Sequence, residues 1–208
     1  MDELMKKIFS LIIFSFGIMN SSFADKTEGL NDIVRHQVQK SFSTHSVGDS
    51  YAGGVIFWTN NKGTHGLIAS KNNQNSAEIW GGQSIFVSAI EKGIYKGNLN
   101  TYRAIAVIND IYFAAKHALG FKVKKDGVSL CDFNDSTEEC YGDWYLPSKE
   151  ELDLMYQQRA ILENITESYY WSSTEIDKDN SFAQHFGNGE VSVQSKSAAL
   201  SVRLIRSF

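Results

Sequence analysis

Cys131 and Cys140 bracket the stretch of this chain richest in groups that could bond or coordinate: Cys131-Asp-Phe-Asn-Asp-Ser-Thr-Glu-Glu-Cys140. In an oxidising compartment, two cysteines nine positions apart most simply form a disulfide that staples a loop, and two free thiols are the alternative. Zinc would need further ligands, and the chain has neither a Cys-x-x-Cys nor a His-x-x-x-His pair. The loop has the acid and amide density of a calcium site, which makes Asp132, Asn134 and Asp135 candidate ligand-binding residues. It departs from the EF-hand pattern, with Ser136 at the fifth position and Thr137 where the turn glycine belongs. A solvated acidic loop is the simpler reading. No metal or cofactor is expected, with calcium the one ion the loop composition leaves open.

Catalytic signatures are missing. The sequence has no Gly-x-Ser-x-Gly elbow, no Walker loop and no Gly-x-Gly-x-x-Gly. His65 stands in a turn between Thr64 and Gly66, and His185 stands within a strand, so both read as structural. Glu150, Glu151 and Asp153 could be imagined as an acid/base pair, but capping of a helix already accounts for them. No catalytic residue is assigned. The aromatic residues remain, because exposed rings in exported proteins can stack on the apolar faces of sugars. Trp144 and Trp171 read as core, whereas Trp80, next to Gly81-Gly82, is the expected exposed ring and a candidate ligand contact.

The elements that must position these residues are short. Val55-Ile56-Phe57-Trp58 and His65-Gly66-Leu67-Ile68-Ala69, separated by the turn Asn60-Asn61-Lys62-Gly63, read as a hairpin. Ile105, Ile108, Ile111, Tyr112, Ala115 and Leu119 recur at helical spacing after Asn100-Thr101 and predict one long helix ending at Gly120. Ser148 with Glu151 three residues on is a capping box that opens a second helix through about Arg159. Tyr169 to Ser173 reads as a strand, Ala183–Phe186 and Val191–Val193 flank the turn Gly187-Asn188-Gly189, and Leu200 to Ile205 reads as the last strand. Two main helices and several short, mostly antiparallel strands make an α+β domain.

Composition and the N-terminus speak to location. Lys6 and Lys7, the apolar run Ile8 to Met19 and Ser22-Phe23-Ala24 have the order of a cleavable signal peptide over residues 1–24, with Met1 or Met5 as the start. The run is shorter than the roughly 20 residues that cross a bilayer, and no cysteine near the cleavage site could carry a lipid, so no stable membrane anchor is expected. The protein is expected in the periplasm or outside the cell. Residues 25–47 comprise an amphipathic helix, with Leu30, Ile33, Val34, Val38 and Phe42 on one stripe, and a linker; that stripe could pair copies in a homo-oligomer. The formal net charge of −4 gives no basic excess for nucleic acid.

The sequences Gly53-Gly54-Val55-Ile56-Phe57-Trp58, Gly63-Thr64-His65-Gly66-Leu67-Ile68-Ala69, Gly142-Asp143-Trp144-Tyr145-Leu146-Pro147-Ser148-Lys149-Glu150-Glu151-Leu152, Tyr170-Trp171-Ser172-Ser173-Thr174-Glu175 and Val202-Arg203-Leu204-Ile205-Arg206-Ser207-Phe208 occur in that order. Over residues 48–208 this pattern resembles the Lcl C-terminal domain family, named for the C-terminal domain of the Legionella collagen-like adhesin. The resemblance implies a C-type-lectin-like fold, related to that of the formylglycine-generating enzymes, in which the first and last strands meet. It also implies a non-catalytic recognition module for a glycan or a cell-surface partner. Two alternatives stand beside that reading: a structural or oligomeric envelope component, and an enzyme on the formylglycine-generating scaffold, which would need a reactive cysteine pair near the end of the domain.

Overall fold

The computed structural model describes residues 43–132, 137 and 139–208. The expected signal peptide, the apolar stripe at 27–42, and Asn134 and Asp135 lie outside the described residues. The compact unit that carries the described residues runs from Thr44 to Phe208.

Two sheets and a ribbon carry the fold. The first sheet orders β1 (Ser50–Tyr51), β2 (Gly54–Thr59), β3 (Gly66–Ser70) and β11 (Ile205–Ser207), all antiparallel. The second orders β4 (Asn75–Ile79), β10 (Ala199–Val202), β7 (Tyr169–Glu175), β8 (Asn180–His185) and β9 (Val191–Ser195), with β10 and β7 parallel. β5 (Val123–Lys124) and β6 (Cys140–Tyr141) form the ribbon. The helices are α1 (Gly97–Val107), the short α2 (His117–Gly120) and α3 (Lys149–Gln157).

The expected hairpin is β2–β3, and both of its faces are buried, which is why its sequence is an unbroken apolar run rather than an alternation. Ile56 and Ile68 join a core with Trp80, Ala104, Trp144, Trp171 and Leu204. Val55, Phe57, Leu67, Ala69 and Ile205 pack with Leu152 and Met155 of α3 in a second core. α3 begins as its sequence predicts. The Ser148 hydroxyl accepts the Glu151 N–H at 3.2 Å, and the Glu151 carboxylate accepts the Ser148 N–H at 2.8 Å.

Two expectations are corrected and a third is sharpened. The long helix over 100–120 is broken: α1 stops at Ile108, whose backbone is extended, and Asp110 accepts the Gly82 N–H at 2.8 Å. Tertiary bonding here overrides a helical apolar period. The single last strand is two, because the chain changes sheet at Arg203-Leu204, between β10 and β11. The first and last strands do not pair. β11 binds β3 while β1 binds β2 in the same sheet, and the ends meet through the Tyr51 and Phe208 rings, 5.3 Å apart and edge to face, and through an Arg206 guanidinium N–H donated to the Ala52 carbonyl at 3.0 Å.

Candidate functional site

Of the residues singled out in the sequence, Cys131 and Cys140 are joined in a disulfide with their Cα atoms 6.1 Å apart. It ties the end of the 120s segment to β6, across the acidic loop. Asp132 is exposed beside it. No cluster of three His, Cys, Asp or Glu side chains able to hold a metal ion occurs among the described residues.

Trp80 is not an exposed ring. It is 2% exposed, its indole N–H donates to the Ser172 carbonyl at 2.8 Å, and the Lys196 ammonium stands 4.6 Å from the ring centroid. The neighbouring glycines mark close packing instead of a surface loop. Gly81 and Gly82 have φ of 93° and 64°, and a Cβ on Gly81 would fall 2.6 Å from that of Phe113. Trp144 and Trp171 are core residues as expected, donating to the carbonyls of Tyr141 and Glu78 at 2.9 and 2.8 Å.

The fourth tryptophan, which sequence reasoning passed over, holds the surface. Trp58 ends the apolar run of β2, but the β2–β3 register shifts between Ile56 and Trp58. The bulge sends Phe57 into the second core and leaves Trp58 half-buried at its margin. Trp58 has no hydrogen bond to its indole N–H among the described residues, whereas the other three indoles all have one.

A tight turn builds the rim beside it. The Asn60 side-chain oxygen accepts the N–H groups of Lys62 and Thr64 at 3.2 and 3.0 Å, and its amide donates to the Thr64 hydroxyl at 3.1 Å. These bonds fix Lys62, Thr64 and His65 around a shallow, largely open cleft of about 540 Å³ against Trp58. A second cavity of about 390 Å³ shares Trp58, Asn60 and His65 and extends to Tyr95, Ser207 and Phe208. Gly66 makes the approach possible, because a Cβ there would fall within 2.7 Å of Phe208 Cζ.

Tyr95 closes this cleft, with its ring centroid 6.0 Å from that of Trp58 at 78°. It is 42% exposed and has a φ of 63°, a left-handed conformation that costs a non-glycine residue about 1 kcal/mol or more. Glu151 holds it there. One carboxylate oxygen of this fully buried residue accepts the Tyr95 N–H at 2.7 Å and the Tyr145 hydroxyl at 3.1 Å, and the other accepts Gly97 N–H at 3.1 Å and Ser148 N–H at 2.8 Å. Burial pushes the Glu151 carboxyl above its ordinary range against the pull of these donors. It also raises the Tyr95 phenol, helped by the Glu151 charge. The helix cap thus doubles as the support of an exposed aromatic ring. Asp153 is likewise engaged, accepting Gln184 and Gln157 amides at 2.9 and 2.8 Å.

A second buried carboxylate, Glu175, shapes the surface on the other side. It pairs with Lys196 at 2.5 Å, both side chains being fully buried, and it accepts the Val87 and Ala89 N–H groups at 3.0 and 3.2 Å. Lys196 also donates to the Ile85 carbonyl at 2.7 Å. The pair pins residues 85–89 from inside, with no side open to a substrate.

The cleft therefore offers two aromatic rings, an indole donor, the imidazole of His65 and the ammonium of Lys62, with neither an acidic side chain nor a thiol among the residues that line it. Such a surface suits a polar ligand with an apolar face; it lacks the paired groups of acid/base or nucleophilic chemistry.

Among curated proteins none matches this chain. The model of the Lcl C-terminal domain matches residues 120–206, a span that holds the Asp143-Trp144 and Trp171-Ser172-Ser173 motifs and leaves out the residues that line the Trp58 cleft. The similarity to the Lcl C-terminal domain family thus covers residues 120–206.

Proposed function

We propose that this protein is an exported, non-catalytic recognition module that binds a glycan, free or on a cell surface, in the cleft between Trp58 and Tyr95. The observation that carries the reading is the pairing of these rings: Trp58 is the one surface tryptophan of four, and Tyr95 is held beside it in a strained conformation by a buried carboxylate. Sugar rings present C–H faces to such aromatics and hydroxyls to the donors around them. The family supports a surface module, and the disulfide fits an oxidising compartment outside the cytoplasm. No helix among the described residues is long and apolar enough to cross a membrane.

The enzyme alternative needs a reactive thiol, and both cysteines of the chain are joined to each other. The oligomeric alternative resting on residues 27–42 lies outside the described residues. Because no Asp or Glu side chain lines the cleft, binding is expected to be independent of calcium. A glycan array probed in calcium and again in chelator tests this: the same glycans should bind in both. Binding only in calcium would move the site to the acidic loop, and no binding in either would refute the glycan reading.

A further inference from the structure

The second sheet ends on β9, and that edge is unlike the others. β1 and β11 are two and three residues long, and the outer side of β11 is capped by paired hydrogen bonds between Ile205 and Tyr145. β4 is broken by a register shift against β10. β9, in contrast, pairs with β8 through five consecutive residues without a bulge, and its sequence Val-Ser-Val-Gln-Ser holds no charge and no proline. Natural edges usually carry a lysine, a proline or a bulge that prevents further pairing. Among the described residues, β9 is the regular sheet edge that carries none.

Its chemistry is that of a strand awaiting a neighbour. In an antiparallel pair, alternate residues turn their peptide groups toward the partner. The bonds His185 N–H to Glu190 O and Lys196 N–H to Asp179 O fix the phase, so Glu190, Ser192, Gln194 and Lys196 face β8. The N–H and C=O groups of Val191 and Val193 then point outward. The same two residues expose their side chains, 41% and 57%.

We propose that β9 is a self-association edge that adds the β9 strand of a second copy, antiparallel, about a two-fold axis at Ser192. This register sets Val191 opposite Val193 of the second copy and the reverse, which uses the four outward peptide groups of these two residues in four hydrogen bonds and leaves the Ser195 N–H outside the pairing. It makes two valine–valine cross-strand pairs, a favourable combination for β-branched side chains. Glu190 falls opposite Gln194, so no like charges meet. A two-fold axis requires such self-complementarity, and a charge-free strand with valines two apart provides it. A five-residue edge is a small interface, so the association is reversible and concentration-dependent. Two copies joined this way would carry two Trp58 clefts, although the pairing does not depend on what the cleft binds.

The full chain is examined by sedimentation equilibrium from about 1 µM to about 1 mM, a range that covers roughly 8 to 4 kcal/mol of association. A monomer–dimer equilibrium is expected, and Val193→Lys should weaken it at least tenfold while leaving the circular dichroism unchanged, because the side chain is at the surface. Ser192→Cys, at the two-fold axis, should cross-link between chains faster than Val128→Cys, which is exposed elsewhere. A monomer across the whole range, a dimer indifferent to Val193→Lys, or equal cross-linking of the two cysteine variants would each overturn the proposal.

Discussion

Glu151→Gln is the substitution that separates a helix cap from a site support. Each carboxylate oxygen accepts two donors, and an amide keeps only one acceptor oxygen. The better orientation places the amide oxygen on the Gly97 and Ser148 side and the NH2 toward Tyr95 and Tyr145. The Tyr145 hydroxyl can turn and accept, but the Tyr95 N–H cannot, and one buried donor left unmade costs about 1–3 kcal/mol. The opposite orientation orphans two. We therefore expect a loss of about 2 kcal/mol in urea unfolding, which is a fall of roughly 4–8 °C in Tm for a unit of this size. The lost acceptor is the one that holds Tyr95 at positive φ, so glycan affinity should fall in the variant even at temperatures where it is fully folded. A loss of stability below about 0.5 kcal/mol would refute the reasoning. So would an unchanged Tyr95 amide resonance.

The remaining perturbations are simpler. Lys196→Met leaves Glu175 charged, fully buried and without its cation, and should cost about 3–5 kcal/mol by urea unfolding; a cost under 1 kcal/mol would mean the pair does not hold residues 85–89. Reducing the Cys131–Cys140 bond, or replacing both residues with serine, should cost about 2–3 kcal/mol for a loop this short, read from the shift in Tm. The Ser129 hydroxyl and the Val128 and Ser129 N–H groups hold the Asp126 carboxyl down to about 2. Since the folded value is depressed, the stabilisation of this turn is present above the ordinary carboxylate range and is lost as pH falls toward 2. A carboxyl carbon titration of Asp126 with a midpoint near 3.8 would contradict it.

What the sequence made legible was local. The capping box at Ser148 and Glu151 needs only residues three apart, and the β2–β3 hairpin needs only a turn between two apolar runs, so both were readable. The misreadings share one cause, which is that distant contacts decide them. Gly81-Gly82 looked like a surface turn beside Trp80 because glycine signals both exposure and close approach, and only Phe113 and Ile108 packed against them tell the two apart. The helical period from Ile105 to Leu119 is real, yet the Gly82–Asp110 bond ends the helix at Ile108. Trp58 was hidden for a different reason. A bulge changes which face a residue occupies without altering the composition around it, so nothing in the apolar run set its last ring apart. Tyr95 was invisible too, since its placement rests on a carboxylate 56 residues later in the chain.

Calorimetric titration of a glycan identified on the array, against the wild-type protein and Trp58→Ala, asks whether the Trp58 ring itself holds the sugar. The account predicts that Trp58→Ala abolishes measurable binding while its unfolding midpoint stays within a few degrees of wild type, because the ring sits at the margin of the core. A Trp58→Ala protein that binds the glycan with unchanged affinity would contradict it and would place recognition elsewhere on the domain.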